Sequence, residues 1–238
     1  IETSSHGLDQ RRLHHIDFKA GIFTNLSQDH LDYHKTMKFY LNAKQILFKE
    51  ILKKNTTIIS DKENEPINSL KKIAKEKNLK LLDIENELEK IKNISGLTKT
   101  EFKSKNLAMA IKAVKLCGLS DKLIYQSIKK IKDVDGRLEL VKKYPNNIRV
   151  FVDYAHTPDA LKKAIESLKI DHSNNISLIF GCGGERDRKK RPLMARIAST
   201  NCKKIYITDD NPRNENPEKI RKELLKHIEK KKAKNIGN

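Results

Sequence analysis

Four short stretches of this chain carry side chains whose types and spacing suit chemistry. Residues 28–34 set His30 and His34 four apart, with Asp29 and Asp32 beside them. On a helix that spacing turns both imidazoles to one face, as zinc requires, but no Glu follows the first His and the metalloprotease arrangement is absent. A polar surface turn accounts for the same residues, and so does one His joining carboxylates around a hard cation. Gly181, Gly183 and Gly184 lead into a run of charge, Glu185-Arg186-Asp187-Arg188. The backbone N–H groups of such a loop form an anion-binding nest, or the glycines simply allow a tight strand-to-helix turn. Asp210, Asn211, Pro212 and Arg213 place an acceptor for an ammonium group, an amide and a guanidinium fork around a proline that stiffens the loop.

Lys44 is the fourth feature. Residues 39–53 read as an amphipathic helix with Tyr40, Leu47, Phe48 and Ile51 on one face and Asn42, Gln45 and Lys49 opposite. Lys44 falls inside the apolar arc. It must snorkel, or be compensated, or serve a function that includes covalent modification.

The elements that position these residues change rhythm along the chain. The first part alternates strands at 55–60 and 79–84 with a helix at 66–78. Ser104 and Ser120 suit the N-caps of two further helices, and Gly118 suits the end of the first. Asp135-Gly136 is the best boundary, which predicts domains at 1–136 and 137–238. Beyond it, strands at 148–153, 176–181 and 203–208 alternate with helices starting near Pro158, Arg191 and Pro217. That alternation predicts an α/β fold with a parallel sheet, and ligands bind beyond the carboxyl ends of its strands. The loops at 154–157, 182–188 and 209–213 occupy those ends. A site lined by Arg and Asp suits a substrate with both carboxylate and ammonium groups.

Composition narrows the classes. The chain has 238 residues, 50 Lys+Arg against 31 Asp+Glu, a net charge of +19, 37% hydrophobic and 5% aromatic residues. No apolar run reaches the roughly 18–20 residues of a membrane helix. Cys117, Cys182 and Cys202 are few, odd in number and far apart, which excludes a disulfide scaffold and implies a reducing, cytoplasmic setting. The chain opens on Ile1 and shows no signal or transit peptide, so it reads as a piece of something longer. The charge raises nucleic-acid binding as a hypothesis. Yet 40 of the basic residues are Lys spread over helical faces, whereas seven of the ten Arg (Arg11, Arg12, Arg137, Arg186, Arg188, Arg191 and Arg213) sit in or beside short polar motifs. The lysines are background, and the expectation is no nucleic acid and no membrane insertion.

Six ordered blocks together carry a resemblance: residues 2–12 (Glu-Thr-Ser-Ser-His-Gly-Leu-Asp-Gln-Arg-Arg), 23–34 (Phe-Thr-Asn-Leu-Ser-Gln-Asp-His-Leu-Asp-Tyr-His), 42–44 (Asn-Ala-Lys), 152–160 (Val-Asp-Tyr-Ala-His-Thr-Pro-Asp-Ala), 180–188 (Phe-Gly-Cys-Gly-Gly-Glu-Arg-Asp-Arg) and 209–213 (Asp-Asp-Asn-Pro-Arg). Spread over nearly the whole chain, they resemble the Mur ligase family of peptidoglycan synthesis, in the branch that adds the third residue of the stem peptide. The resemblance implies the remainder of a central P-loop-type ATPase domain followed by a Rossmann-like C-terminal ligase domain. It implies ATP, UDP-MurNAc-L-Ala-D-Glu and meso-diaminopimelate as substrates, with an acyl phosphate as intermediate and magnesium as cofactor. Addition of L-lysine is the alternative within the family; a lysine-rich nucleic-acid-binding module and a Rossmann-like domain kept for protein contacts are the alternatives outside it.

By the same resemblance, Glu2 and His30 hold magnesium and Lys44 is carbamylated, which would turn a misplaced cation into an anion. Ser4, Gln10 and Arg12 contact the UDP-muramoyl substrate. Asn106, Arg137 and Asp153 lie around the nucleotide. Arg186, Asp210, Asn211, Pro212 and Arg213 form the amino-acid pocket. The phosphate loop G-x-x-x-x-G-K-[ST] is missing, since none of the nine Gly is followed by Lys. Lys103 stands where the family usually has Asn, and Thr100 and Glu101 replace small residues. Catalysis by this stretch alone is not expected.

Overall fold

The computed structural model describes residues 1–92, 100–171 and 175–237. In chain order its first elements are α1 (Ser5–Asp9), β1 (Ala20–Phe23), α2 (Leu31–His34) and α3 (Met37–Ile46), which runs into a π-helical turn at Leu47–Ile51. Next come β2 (Thr57–Ser60), α4 (Ile67–Lys77), β3 (Lys80–Asp83), α5 (Glu85–Ile91), α6 (Glu101–Leu116) and α7 (Asp121–Ile128). The remainder holds β4 (Glu139–Lys143), β5 (Arg149–Val152), α8 (Pro158–Asp171), β6 (Ser177–Phe180), α9 (Lys190–Asn201), β7 (Lys204–Ile207), α10 (Pro217–Leu225) and β8 (Ala233–Asn235). The chain forms two compact units. Ile1–Leu26 with Thr36–Lys132 make one, and Ser27–Lys35 with Asp133–Asn238 make the other.

In the first unit β1, β2 and β3 form a parallel sheet in that order. All four residues of β2 are buried, so its two faces feed separate cores. Ile58 packs with Phe23, Leu47, Phe48, Leu70 and Ile73. Its neighbour Ile59 points the other way, to Ile84, Ala108, Ile111 and Ile128. The terminators behave as read from the chain: Ser120 caps α7 by accepting from Leu123 N–H, and Gly118 follows α6 with φ +89.

Two local expectations fail here. Gln45, assigned to the polar face, is 3% exposed and donates to Ser69 Oγ at 2.6 Å. The helix widens into its π turn two residues later, and α4 packs on that side, so a wheel drawn at constant pitch misplaces it. Ser104 is not a cap. Helix α6 starts at Glu101 after Thr100, and Ser104 Oγ donates back to the Thr100 carbonyl at 3.2 Å.

In the second unit β6, β7 and β8 form the parallel sheet, with Phe180 beside Ile207 at its carboxyl edge. Helices start at Pro158, Lys190 and Pro217 as expected. Ile205, Ile207, Met194, Ala195, Ala198 and Leu224 build the core, and the buried Cys182 and Cys202 are free thiols. The strand expected at 148–153 is present as β5 but lies outside this sheet. It pairs antiparallel with β4, an element the sequence reading omitted. Asn147 at φ +62 and the bond from Tyr144 N–H to the Ile148 carbonyl close a short local turn. Closing so short a loop costs little entropy. No described helix is long and apolar enough to cross a membrane.

A buried acid steadies the helical side of the first unit. Glu87 accepts from Tyr125 Oη at 2.7 Å and Lys115 at 3.0 Å, and Lys112 lies 3.5 Å away. Burial alone would raise its pKa; the Tyr125 and Lys115 bonds overrule this and hold it below the usual value. Its stabilisation is therefore complete above the ordinary glutamate range and is lost as pH falls through the lowered value. Glu87→Gln is expected to cost about 1–3 kcal/mol at neutral pH and to flatten the acid side of the stability curve, measured by urea unfolding at several pH values. A variant as acid-sensitive as the parent would remove Glu87 from this role.

Candidate functional site

Two loops leave the carboxyl edge of the parallel sheet in the second unit, one after β6 and one after β7, and they lie backbone to backbone. A Cβ on Gly184 would sit 1.8 Å from the Pro212 carbonyl oxygen, and one on Gly181 would sit 2.6 Å from that of Thr208. Glycine is needed here for close approach. Gly184 N–H donates to the Asn211 carbonyl at 2.9 Å, and Glu185 N–H donates to Glu215 Oε1 at 2.6 Å. Of the N–H groups at Gly181 to Gly184 expected to cradle an anion, that of Gly184 is taken by a protein acceptor, and the close approach favours the tight-turn reading.

The fork of Arg213 is presented by this packing. Its Nη1 donates to the Gly184 carbonyl at 2.6 Å and lies 3.4 Å from the Asn211 carbonyl. Nε and Nη2 form the edge of the fork these bonds do not use, and a guanidinium edge of that kind suits a carboxylate. Arg213 and Glu185 both have φ +51, the left-handed region that non-glycine residues rarely adopt. Asn211 Oδ1 accepts from Arg213 N–H at 3.3 Å, so the amide offers a ligand chiefly its Nδ2 donors. Asp210 Oδ1 accepts from Asn211 N–H at 2.8 Å, and its Oδ2 faces Gly183, 3.7 Å from where a Cβ would stand. Arg186 is exposed. Together they line part of a cavity of about 1570 Å³ that also includes Asp29, His156 and Lys190.

Asp29 is the hub on the other wall. Its carboxylate lies 3.3 Å from His156 Nε2, 3.4 Å from Lys190 Nζ and 3.5 Å from His30 Nε2, and it accepts from His30 N–H at 2.9 Å. Burial would raise its pKa, but His156, Lys190 and His30 hold it far below the usual carboxylate range. His156 has acceptors at both ring nitrogens, Asp29 at Nε2 and the Tyr154 carbonyl at Nδ1, an arrangement that only the imidazolium satisfies fully. The Asp29 bond accordingly raises its pKa. Gln28 donates to Asp187 at 2.9 Å and ties the same segment to the glycine loop. Asp29 thus bridges the 154–157 loop and the start of α9, although β5 is not in the parallel sheet.

The remaining expected residues fall as follows. Arg137 in the second unit stacks its guanidinium 4.4 Å from the Tyr154 ring centroid, and Asp153 accepts from Leu138 N–H and Ala155 N–H, each at 2.8 Å. Asn106 is exposed on α6 in the first unit. Ser4 caps α1 by accepting from Gly7 N–H at 3.1 Å, and Arg12 donates to Gln10 Oε1. Lys44 is half-buried, with Nζ 5.2 Å from the Tyr40 ring centroid, 5.6 Å from that of Phe23 and 3.4 Å from the Asn25 carbonyl. Those ring faces and that oxygen compensate an ammonium, so burial by itself no longer calls for modification.

Glu2 is exposed in the first unit, and His30, at φ +57, belongs to the second. Among the described residues no group of three or more His, Cys, Asp or Glu is arranged to hold a metal ion. Magnesium is bound by one or two protein carboxylates and completes its shell with water and substrate phosphates, and the exposed Glu2 is a donor of that kind.

The sequence reading did not assign roles to His156, Lys190, Arg191 or Glu215. One signal was available. Lys190 and Arg191 open helix α9, where cations oppose the helix dipole, so each needs a local partner.

Residues 1–119 match the Mur ligase middle domain, and residues 136–236 match the Mur ligase glutamate ligase domain. The chain belongs to the Mur ligase family. It is 39% identical to the UDP-N-acetylmuramoyl-L-alanyl-D-glutamate–2,6-diaminopimelate ligase of Rickettsia montanensis, covering 100% of this chain and 54% of that one. The ligase of the same description from Vibrio cholerae is 37% identical over 92% of this chain and 48% of its own. A solved structure described as that diaminopimelate ligase superimposes with a TM-score of 0.54 at 29% identity, over 100% of this chain and 53% of the other. Folylpolyglutamate synthase of Mycobacterium tuberculosis shares the fold, with a TM-score of 0.72 at 13% identity over 94% of this chain and 55% of its own. The chain spans about half the length of the curated relatives it matches.

The backbone contact makes a direct demand on sequence. Gly184→Ala must push the 209–213 loop away from the 182–188 loop. We expect an unfolding penalty of about 1–3 kcal/mol. We also expect amide shift changes by NMR at Asn211 and Arg213 that Gly118→Ala, in a left-handed turn with open space around it, does not cause. Unperturbed resonances in the 209–213 loop would contradict the packing described.

Proposed function

We propose that this chain is the part of an ATP-dependent ligase that joins meso-diaminopimelate to UDP-MurNAc-L-Ala-D-Glu in peptidoglycan synthesis. The observation that carries the reading is the presentation of Arg213, with one edge of its fork tied to backbone carbonyls and the other left for a carboxylate, beside Asp210 and the exposed Arg186. Diaminopimelate has an ammonium and a carboxylate at its far end; lysine has only the ammonium. Asp210 serves the first group and Arg213 the second. The identity with diaminopimelate ligases supports the same choice.

The reaction transfers the γ-phosphoryl group of ATP to the D-Glu carboxylate of the dipeptide, breaking the β,γ-phosphoanhydride bond and releasing ADP. The amine of diaminopimelate then attacks the acyl carbon, the C–O bond to phosphate breaks, and amide and phosphate are released. Such a step is driven by positioning and charge neutralisation. Arg137, Asp153 and Asn106 are assigned to the nucleotide, and Ser4, Gln10 and Arg12 to the UDP-muramoyl substrate. Glu2 and His30 are assigned to magnesium, which when bound neutralises phosphate charge. The domain division at 136/137 and a cytoplasmic location complete the proposal.

Exchanging Arg213 for Ala in the full-length ligase should reduce kcat/KM for meso-diaminopimelate by roughly ten- to a hundred-fold or more and leave the low value for L-lysine almost unchanged. Equal losses on both amino acids would assign Arg213 to structure alone, and equal kcat/KM values in the parent would refute the substrate.

Carbamylation of Lys44 rests on the resemblance. It predicts a carbamate carbon signal by ¹³C NMR in labelled bicarbonate, absent from Lys44→Ala, and partial rescue of that variant by short carboxylic acids. A parent without the signal whose Ala variant stays fully active would leave Lys44 as the cation seen against Phe23 and Tyr40.

A further inference from the structure

Arg191 is 1% exposed, the largest of the fully buried side chains among the described residues. A guanidinium placed so deeply must be matched by acceptors, and they come from the 182–188 loop, the 209–215 loop and helix α10. Nη2 donates to Glu215 Oε1 at 2.9 Å and to the Gly183 carbonyl at 3.1 Å; Nη1 donates to Glu215 Oε2 at 3.1 Å and to Glu223 Oε2 at 2.8 Å. The pair with Glu215 is thus a two-bond fork.

Glu215 extends the connection. Its Oε1 also accepts from Glu185 N–H at 2.6 Å, and its Oε2 pairs with Arg188 at 3.0 Å. One carboxylate therefore holds the glycine loop, the start of α9 and the end of the 209–215 loop at once. The Arg191 bond, with the Glu185 N–H and the nearby Arg188 adding to it, draws the pKa of Glu215 down to about 2, so it stays an anion across the physiological range. The far end of the same loop is anchored separately, by Arg221 on Asp209. Between these two anchors lie Asp210 to Arg213.

We propose that Arg191, acting through Glu215, is a positioning residue that fixes the spacing between the 183–188 and 209–215 loops and thereby sets the preference of the Arg213 pocket for an amino acid with a second, far-end carboxylate over one without it. The pair touches no substrate. It holds Gly184 where its carbonyl engages Nη1 of Arg213, so that the other guanidinium edge faces the ligand. This inference rests on the function proposed above, since it assumes that Arg213 receives the far carboxylate.

The test uses the full-length ligase, ¹⁵N-labelled, in four forms: parent, Arg191→Lys, Glu215→Gln and Glu223→Gln. Lysine keeps the charge of Arg191 but loses the fork, and glutamine keeps the shape of Glu215 but loses its charge. Amide hydrogen exchange is read at Gly184 and Glu185 with Ile205 and Ile207 as core references. The affinities for meso-diaminopimelate and L-lysine are read by calorimetry. In Arg191→Lys and Glu215→Gln we expect exchange at Gly184 and Glu185 to quicken tenfold or more with the core references unchanged, and the preference for diaminopimelate to fall at least fivefold. Glu223→Gln, which removes the more exposed partner, should change neither. A parent that prefers diaminopimelate with variants matching it in exchange or in preference overturns the positioning role and leaves the proposed substrate standing. A parent without the preference overturns the substrate, and this inference with it. Loss of the fold in both Arg191→Lys and Glu215→Gln would make the pair a structural support and overturn its role in selection.

Discussion

No side chain fits between the backbones of Gly184 and Pro212, and much of the second unit's functional edge follows from that single contact. Loops brought so close must satisfy each other's polar groups, because water is excluded from between them. Gly184 N–H and the Asn211 carbonyl do this, as do Arg213 and the Gly184 carbonyl. The strain of left-handed backbone at Glu185 and Arg213 is held in place by these bonds. Rigid loops of this kind keep a guanidinium in one orientation, which a long side chain on a free loop would not retain.

Where the residues carried local signals, the chain could be read directly. Pro158 and Pro217 open helices, Ser120 and Gly118 punctuate α7 and α6, and the strand–helix alternation after 176 yields the parallel sheet. Period and punctuation are properties of neighbours, so a sequence displays them. Arg213 and Asp210 could be placed for the same reason, since a loop after a parallel strand lies at the carboxyl edge wherever else the chain goes. What could not be read depends on distance. Asp29 meets His156 across 127 residues and Lys190 across 161, and nothing near Asp29 announces either. The pairing of β5 with β4 instead of β6, and the burial of Gln45, were decided by which partner packed alongside.

The distinction between arginine and lysine survives in the structure only in part, because Lys190 on Asp29 and Lys115 on Glu87 are lysines set against half-buried and buried acids. Many lysines pair with acids on exposed helical faces, as in Lys72–Glu76 and Lys222–Glu218, contacts worth little in water. Two of the arginines are buried or stacked, Arg191 on Glu215 and Arg137 on Tyr154. Arg221 belongs with them although no motif surrounds it, because its partner Asp209 lies at the start of a recognisable loop.

The attachment of residues 27–35 to the second unit has a consequence in time. The segment leaves the ribosome early, yet the groups that receive it, His156, Asp187 and Lys190, follow 127 to 161 residues later. At about 5–20 residues per second, roughly 6 to 30 s of synthesis separate Asp29 from its first and last partners. For that interval a carboxylate destined to be a shared anion is an ordinary solvated one, and the short helix after it has nothing to dock on. The second unit therefore cannot finish folding from its own contiguous stretch of chain; it closes only when a piece made long before is drawn back into place.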